Sequence, residues 1–246
     1  MSGFSEPPAA SVSGSPPPRR RVRPLRVVLA AAAITLVAAV AVTVLAASRL
    51  PESYARHEAL GGPAAEQAAR RFLGGVSRLH ADFIREGAWE AAFSEDELNA
   101  WLAVDLPRNH PHALPGRVRE PRVSLQPRRV DVSARLVVAG LRPVVSVGLG
   151  VRLREPNQLG VTVEEASLGA IPLPRGPVLS EIRRRFDRLG MVTSVQRLDD
   201  RSVLVVYIPS THESGGMSHW LESLSLAEGS VAVAGRTLAA RTAAAR

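Results

Sequence analysis

The chain has 246 residues with 31 basic and 23 acidic side chains, a formal charge of +8 and no cysteine, so disulfides, thiolate chemistry and Cys-ligated metals are excluded. Every basic residue is Arg, and two Tyr and five Phe leave few stacking platforms for bases, which argues against nucleic-acid binding. The charge divides evenly, residues 1–26 and residues 49–246 each carrying a net +4.

Residues 1–26 are rich in Pro, Ser, Gly and Arg and lack the apolar content to fold, which predicts a disordered basic cytoplasmic tail. The run from Val27 to Ala47 is uncharged, without Pro or Gly, and as a helix would be about 32 Å long, enough for a hydrocarbon core. A transmembrane helix is therefore expected over 27–48. A signal peptide cut near Ser48 is the alternative. Arg19, Arg20, Arg21, Arg23 and Arg26 precede the run, while only Arg49 and Arg56 follow it closely. That imbalance predicts a single-pass inner-membrane protein with a cytoplasmic N-terminus and a periplasmic domain at 49–240.

Pro51 can head a short helix through Tyr54 and Leu60. A second helix is predicted over 63–85, where Ala68, Phe72, Leu73, Val76, Leu79 and Phe83 recur at helical spacing. Gly74 and Gly75 in its middle mark a kink or a close approach. After an extended piece holding Trp89 and Phe93, Ser94 and Glu97 form a capping box that opens a helix over 94–106. Leu98, Trp101 and Leu102 make its apolar face. Asn99 is either a buried hydrogen-bonding residue that fixes this helix to the sheet or a polar site group.

From Arg117 the period changes to two. Arg122–Leu125 and Val130–Leu136 read as strands about a turn at Pro127–Arg129, and Val145, Val147, Leu149, Val151 and Leu153 mark the clearest strand. Pro156-Asn157 turns the chain, and Leu159, Val161 and Val163 continue the apolar face until Glu164-Glu165 breaks phase, as a β-bulge would. Ile182, Phe186 and Leu189 mark an Arg-rich helix over 176–189. Strands follow at Val192–Leu198, Ser202–Ile208, Trp220–Leu226 and Ser230–Leu238, and 241–246 is a frayed tail.

Catalytic signatures are scarce. His110-Pro111-His112 is the nearest approach to a metal site but lacks a third ligand nearby. His212–Gly216 holds triad-type residues in a row without a nucleophile elbow. Glu164 and Glu165 are adjacent on a strand and so would face opposite ways, against joint acid–base work. Asp199-Asp200 reads as a hairpin turn. No catalytic residue, metal or cofactor is expected, and an unrecognised hydrolase remains a third class of reading.

The string WEAAFSEDELNAWLAVDLP, the strands after it and the later LGAIPLP resemble YpmS-like single-pass membrane proteins of bacteria, planctomycete-type versions above all. The positions that carry the resemblance are Ser94, Glu97, Leu98, Asn99, Trp101 and Leu102, then Gly169, Pro172, Leu173 and Pro174. The architecture is similar to tubular lipid-binding domains such as those of YceB and LmeA. The resemblance implies an α+β fold, a long-stranded, twisted antiparallel sheet packed with a few helices, and no catalytic residues. The expected function is non-enzymatic: binding a lipid or other apolar ligand at the membrane through Val145, Val147, Leu149, Val151, Leu153, Leu159, Val161 and Val163. The alternative is a scaffold module with a solid core that partners envelope proteins. The same face is expected either to line a groove or to lie against the 63–85 helix.

Overall fold

The computed structural model describes Tyr54 and residues 61–138, 140–198, 201–210 and 217–239. The expected span at 27–48, the rest of the first short helix, Asp199-Asp200, His212–Gly216 and the C-terminal tail lie outside them. No described helix is long and apolar enough to cross a membrane.

The fold is α+β. Helix α1 (Gly62–Phe83) leads into strand β1 (Gly87–Ser94) and then α2 (Glu95–Ala100), which continues through a wide π-helical turn (Trp101–Asp105) into α3 (Leu106–Asn109). Then come β2 (Val118–Gln126), β3 (Arg129–Leu136), β4 (Val144–Glu155), β5 (Gln158–Leu168) and the two-residue β6 (Ile171–Pro172). Helix α4 (Arg175–Arg188), β7 (Val192–Leu198), β8 (Arg201–Tyr207), β9 (Met217–Ala227) and β10 (Ser230–Ala239) complete the domain.

Two antiparallel sheets form, where the sequence suggests one. The larger has the order β2-β3-β4-β5-β8-β7, with β6 added on β5; the smaller is β1-β10-β9. The short piece around Trp89 pairs along its whole length with β10, far away in the chain. Trp89 sits opposite Gly235, where a Cβ would collide with the indole ring and with the Trp220 carbonyl, so the pairing needs glycine there.

Helix α1 packs on the small sheet. Phe72 meets Phe93 with ring centroids 5.1 Å apart and Trp101 at 5.4 Å. A Cβ on Gly75 would stand 2.8 Å from the Phe93 ring, so this glycine marks close packing rather than a kink. Ala65, Ala68 and Ala69 bury against Ala100.

The capping box forms as expected: the Ser94 hydroxyl accepts from the Glu97 amide, and Glu97 accepts from the Ser94 amide, both at 3.2 Å. The helix does not stop at Pro107. In a regular α-helix its ring would strike the carbonyl four residues back. The π turn, closed by the Leu106 amide donating to the Trp101 carbonyl, takes up one extra residue and lets the helix run on to Asn109.

Asn99 is fully buried and holds the edge of β2: its Nδ2 donates to the Val123 carbonyl at 2.7 Å and its Oδ1 accepts from the Val123 amide at 2.8 Å. The Leu125 amide donates to the Glu95 carboxylate, and the Leu125 carbonyl accepts from the Gly229 amide. The structural role weighed for Asn99 is the one it plays, and along this stretch the edge strand has no bare backbone to offer a neighbouring chain.

Candidate functional site

Two backbone irregularities face each other at the start of β2. Arg119 lies opposite Arg135 and Arg122 opposite Ser133, so β2 carries one residue too many there, a β-bulge. Pro121 has no amide to give to the ladder, which makes this a tolerable place to break it. Glu120 sits at φ 49°, in the left-handed region where a residue with a Cβ is strained. Across from it lies the π turn that Pro107 forces. Neither strand nor helix can close regularly on the other, and a groove of about 480 Å³ remains between them.

Its walls are apolar: Leu102, Leu106, Pro107, Leu114, Val118 and Pro121. His110, Arg119, Glu120 and Arg122 supply the polar groups. Arg122 is buried and donates to the Pro121 carbonyl at 2.8 Å, whereas Arg119 and His110 are exposed. The volume and the mostly apolar lining are those of a small-ligand site.

Glu120 is held in place from outside the groove. Its Oε2 accepts from the Tyr54 hydroxyl at 3.0 Å and from Arg135 Nε at 2.9 Å. Arg135 Nε also donates to the Tyr54 oxygen at 3.0 Å, and its guanidinium lies 5.5 Å from the centre of the Tyr54 ring. Tyr54 is only 1% exposed. Burial raises its pKa above the usual phenol value, with the Glu120 carboxylate adding to the rise and the Arg135 hydrogen bond opposing it.

None of the eight residues expected to bind a ligand lines this groove. Register does place them together on one face of the large sheet: Leu149 pairs with Val163, Val151 with Val161 and Leu153 with Leu159. The helix over that face is α4, not α1. Val161 and Val163 are buried in a core with Leu179, Leu204 and Val206, and Val147, Leu149 and Leu159 pack at its margin. Val178, Ile182 and Phe186 give α4 the apolar stripe that allows this, while its outer side pairs Glu181 with Arg184, Arg185 and Arg188. Val145, Val151 and Leu153 are half-buried. Of the other motif positions, Trp101 packs on Phe72, Gly169 turns the chain at φ 57°, Pro172 pairs in β6 and Pro174 immediately precedes α4.

The opposite face of the large sheet is polar and holds a second hollow of about 480 Å³, bordered by Arg128, Arg152, Arg201, Thr162 and Glu164. Here the expectation for Glu164 and Glu165 fails for a physical reason. Gly148 pairs with Glu165 and Leu149 with Val163, so Glu164 is the bulged residue. The bulge cancels the alternation, and both carboxylates reach Arg129, at 3.5 and 3.3 Å. Asp131 binds the same guanidinium at 2.7 Å, and that hydrogen bond is the main cause of its raised pKa.

Glycines make room for these long side chains. A Cβ on Gly148 would meet the Arg129 guanidinium, and one on Gly160 would lie 3.0 Å from the Arg154 stem. That stem runs across the sheet to donate to Gln196 Oε1 at 2.6 Å. His110 and His112 lie in the loop beside the apolar groove, and among the described residues no three His, Asp or Glu side chains are grouped to hold a metal.

The groove carried no signal of its own in the sequence. Its Leu and Pro residues come from a helix end, a loop and a strand start, and only Pro107 and Pro121 hint that two regular elements are interrupted. No protein-family model, curated protein or solved structure matches the chain.

Proposed function

We propose that the protein is a membrane-anchored, non-enzymatic envelope protein that holds a lipid or other apolar ligand in the groove between the π turn and the start of β2, on the periplasmic side. The observation that carries this reading is the convergence of a left-handed Glu120, a β-bulge and a π turn on one apolar groove. Backbone strain of this kind persists where the surroundings hold it and clusters at ligand sites. Apolar walls suit an acyl chain, and exposed Arg119 beside His110 suits an anionic or polar head at the opening. The anchor reading rests on the apolar run of 27–47 and the Arg imbalance about it.

The test is native mass spectrometry of the full-length protein released from membranes, beside Ala103→Trp. Ala103 borders the groove and is only half-buried, so an indole there fills the space without entering a packed core. Wild type is expected to carry a lipid-sized mass, and the variant to lose it while melting at a similar temperature. A variant that keeps the wild-type load would remove the groove as the site. A wild type that carries nothing and takes up no added phospholipid would remove the ligand reading.

A further inference from the structure

The large sheet has an end whose features belong together. Tyr54 is fastened there to Glu120 and Arg135, and β3 runs straight on from Arg135 into a hairpin tip. Backbone hydrogen bonds hold its two arms together: Val138 and Leu141 exchange bonds of 3.1 and 2.9 Å, the Leu136 amide donates to the Pro143 carbonyl, and the Val137 amide donates to the Arg117 carbonyl. Yet it exposes three large aliphatic side chains, Val137 at 39%, Val138 at 44% and Leu141 at 46%. Arg117 and Arg142 flank them, both exposed and neither in an ion pair among the described residues. Exposed aliphatic side chains set between these cations have the composition of an interfacial contact with anionic lipid.

Chain length says which surface is in range. Tyr54 follows Ala47 by seven residues, which span at most about 25 Å. We infer that the two arms of the β3–β4 hairpin, with Val137 and Val138 on one and Leu141 and Arg142 on the other, dock on the anionic headgroup surface of the membrane that carries the chain, seating Val138 and Leu141 among the headgroups. The start of β2 that lines the groove lies at this same end of the sheet. The inference rests on the membrane-anchor reading above, and is independent of whether the groove holds a lipid.

The absence of cysteine makes the test clean. Full-length Val138→Cys and Glu155→Cys proteins would each carry one environment-sensitive fluorophore and be reconstituted into vesicles of phosphatidylcholine with phosphatidylglycerol. Glu155 is exposed at the far end of β4, about 35 Å along the strand from the tip. The Val138 probe is expected to shift to the blue and to be quenched several-fold more than the Glu155 probe by lipid-borne quenchers. Arg117→Glu with Arg142→Glu should reduce that quenching. Equal quenching at both sites would overturn the inference. So would a blue shift without lipid quenching, which would assign the tip to a second copy of the chain. A protein that alkaline carbonate strips from the vesicles would overturn the anchor reading and this inference together; one that resists carbonate with an unquenched tip would overturn the docking alone.

Discussion

At one end of the large sheet Asn157 closes the β4–β5 turn with all of its polar groups engaged, while at the other Glu120 sits strained beside a proline that breaks the ladder. Asn157 also has a left-handed backbone, at φ 62°, but asparagine tolerates that conformation. Its Nδ2 donates to the His219 carbonyl at 2.7 Å and its Oδ1 accepts from the Leu221 amide at 2.6 Å. Its own amide donates to the Leu221 carbonyl, and its carbonyl accepts from Ile208. One buried side chain therefore joins the two sheets. The Glu120 end is built differently, with a carboxylate held by Arg135 and Tyr54 at the edge of an open groove. The difference separates irregular backbone that completes the fold from irregular backbone that the fold merely tolerates.

Breaking the closed end should have the largest effect. Asn157→Ala leaves the β9 amide and carbonyl without their partners in a buried site and removes the short polar side chain that makes the left-handed backbone tolerable, at a cost of about 2–4 kcal/mol. Denaturant unfolding would read this, and the lipid load per folded molecule should not change. A loss below about 1 kcal/mol would mean that the sheets are joined elsewhere.

Asn99→Ala should cost somewhat less, about 1–3 kcal/mol, because Glu95 and Gly229 still hold β2 at Leu125. Unlike the first variant it should also lower the lipid load, since α2 leads into the groove wall. Equal loads in the two variants would blur the distinction between the ends.

Glu120→Gly sharpens it. Glycine relieves about 1–2 kcal/mol of left-handed strain, loses a half-exposed ion pair of about 0–1 kcal/mol and adds chain entropy of about 0.5–1 kcal/mol. The net change in stability is expected to lie between about 1 kcal/mol lost and about 1.5 kcal/mol gained, with a clear fall in retained lipid. If this variant instead unfolds more easily than Asn157→Ala, the Glu120 end is the structural one and the comparison reverses.

Local pattern made much of the fold legible. The Ser94–Glu97 box, the alternation from Val145 to Leu153 and the phase break at Glu164-Glu165 are short-range signals, and each corresponds to an observed feature. The second sheet was not legible, because β1 and β10 lie some 140 residues apart and nothing in either names its partner. Which helix covers the β4–β5 face was not legible either, because both α1 and α4 are amphipathic, and a stripe does not say which sheet it will cover. Glu164 and Glu165 show a subtler limit: the phase break marks the bulge, but simple alternation does not show that the bulge brings both carboxylates to Arg129. The groove escaped because it is made where two periodicities stop.

The glycine opposite Trp89 sets an evolutionary constraint that the charged face does not share. Arg154 or Glu165 could drift to another long polar residue and keep part of its reach. A Cβ on Gly148 or Gly150 would meet only the ends of side chains, Arg129 and Asp131 at the first and Thr162 and Glu164 at the second, and these can swing aside. At Gly235 it would meet the Trp220 carbonyl, which is backbone and cannot. Across any lineage that keeps the pairing of β1 with β10, variation should therefore collect on the polar face, while Gly235 stays fixed.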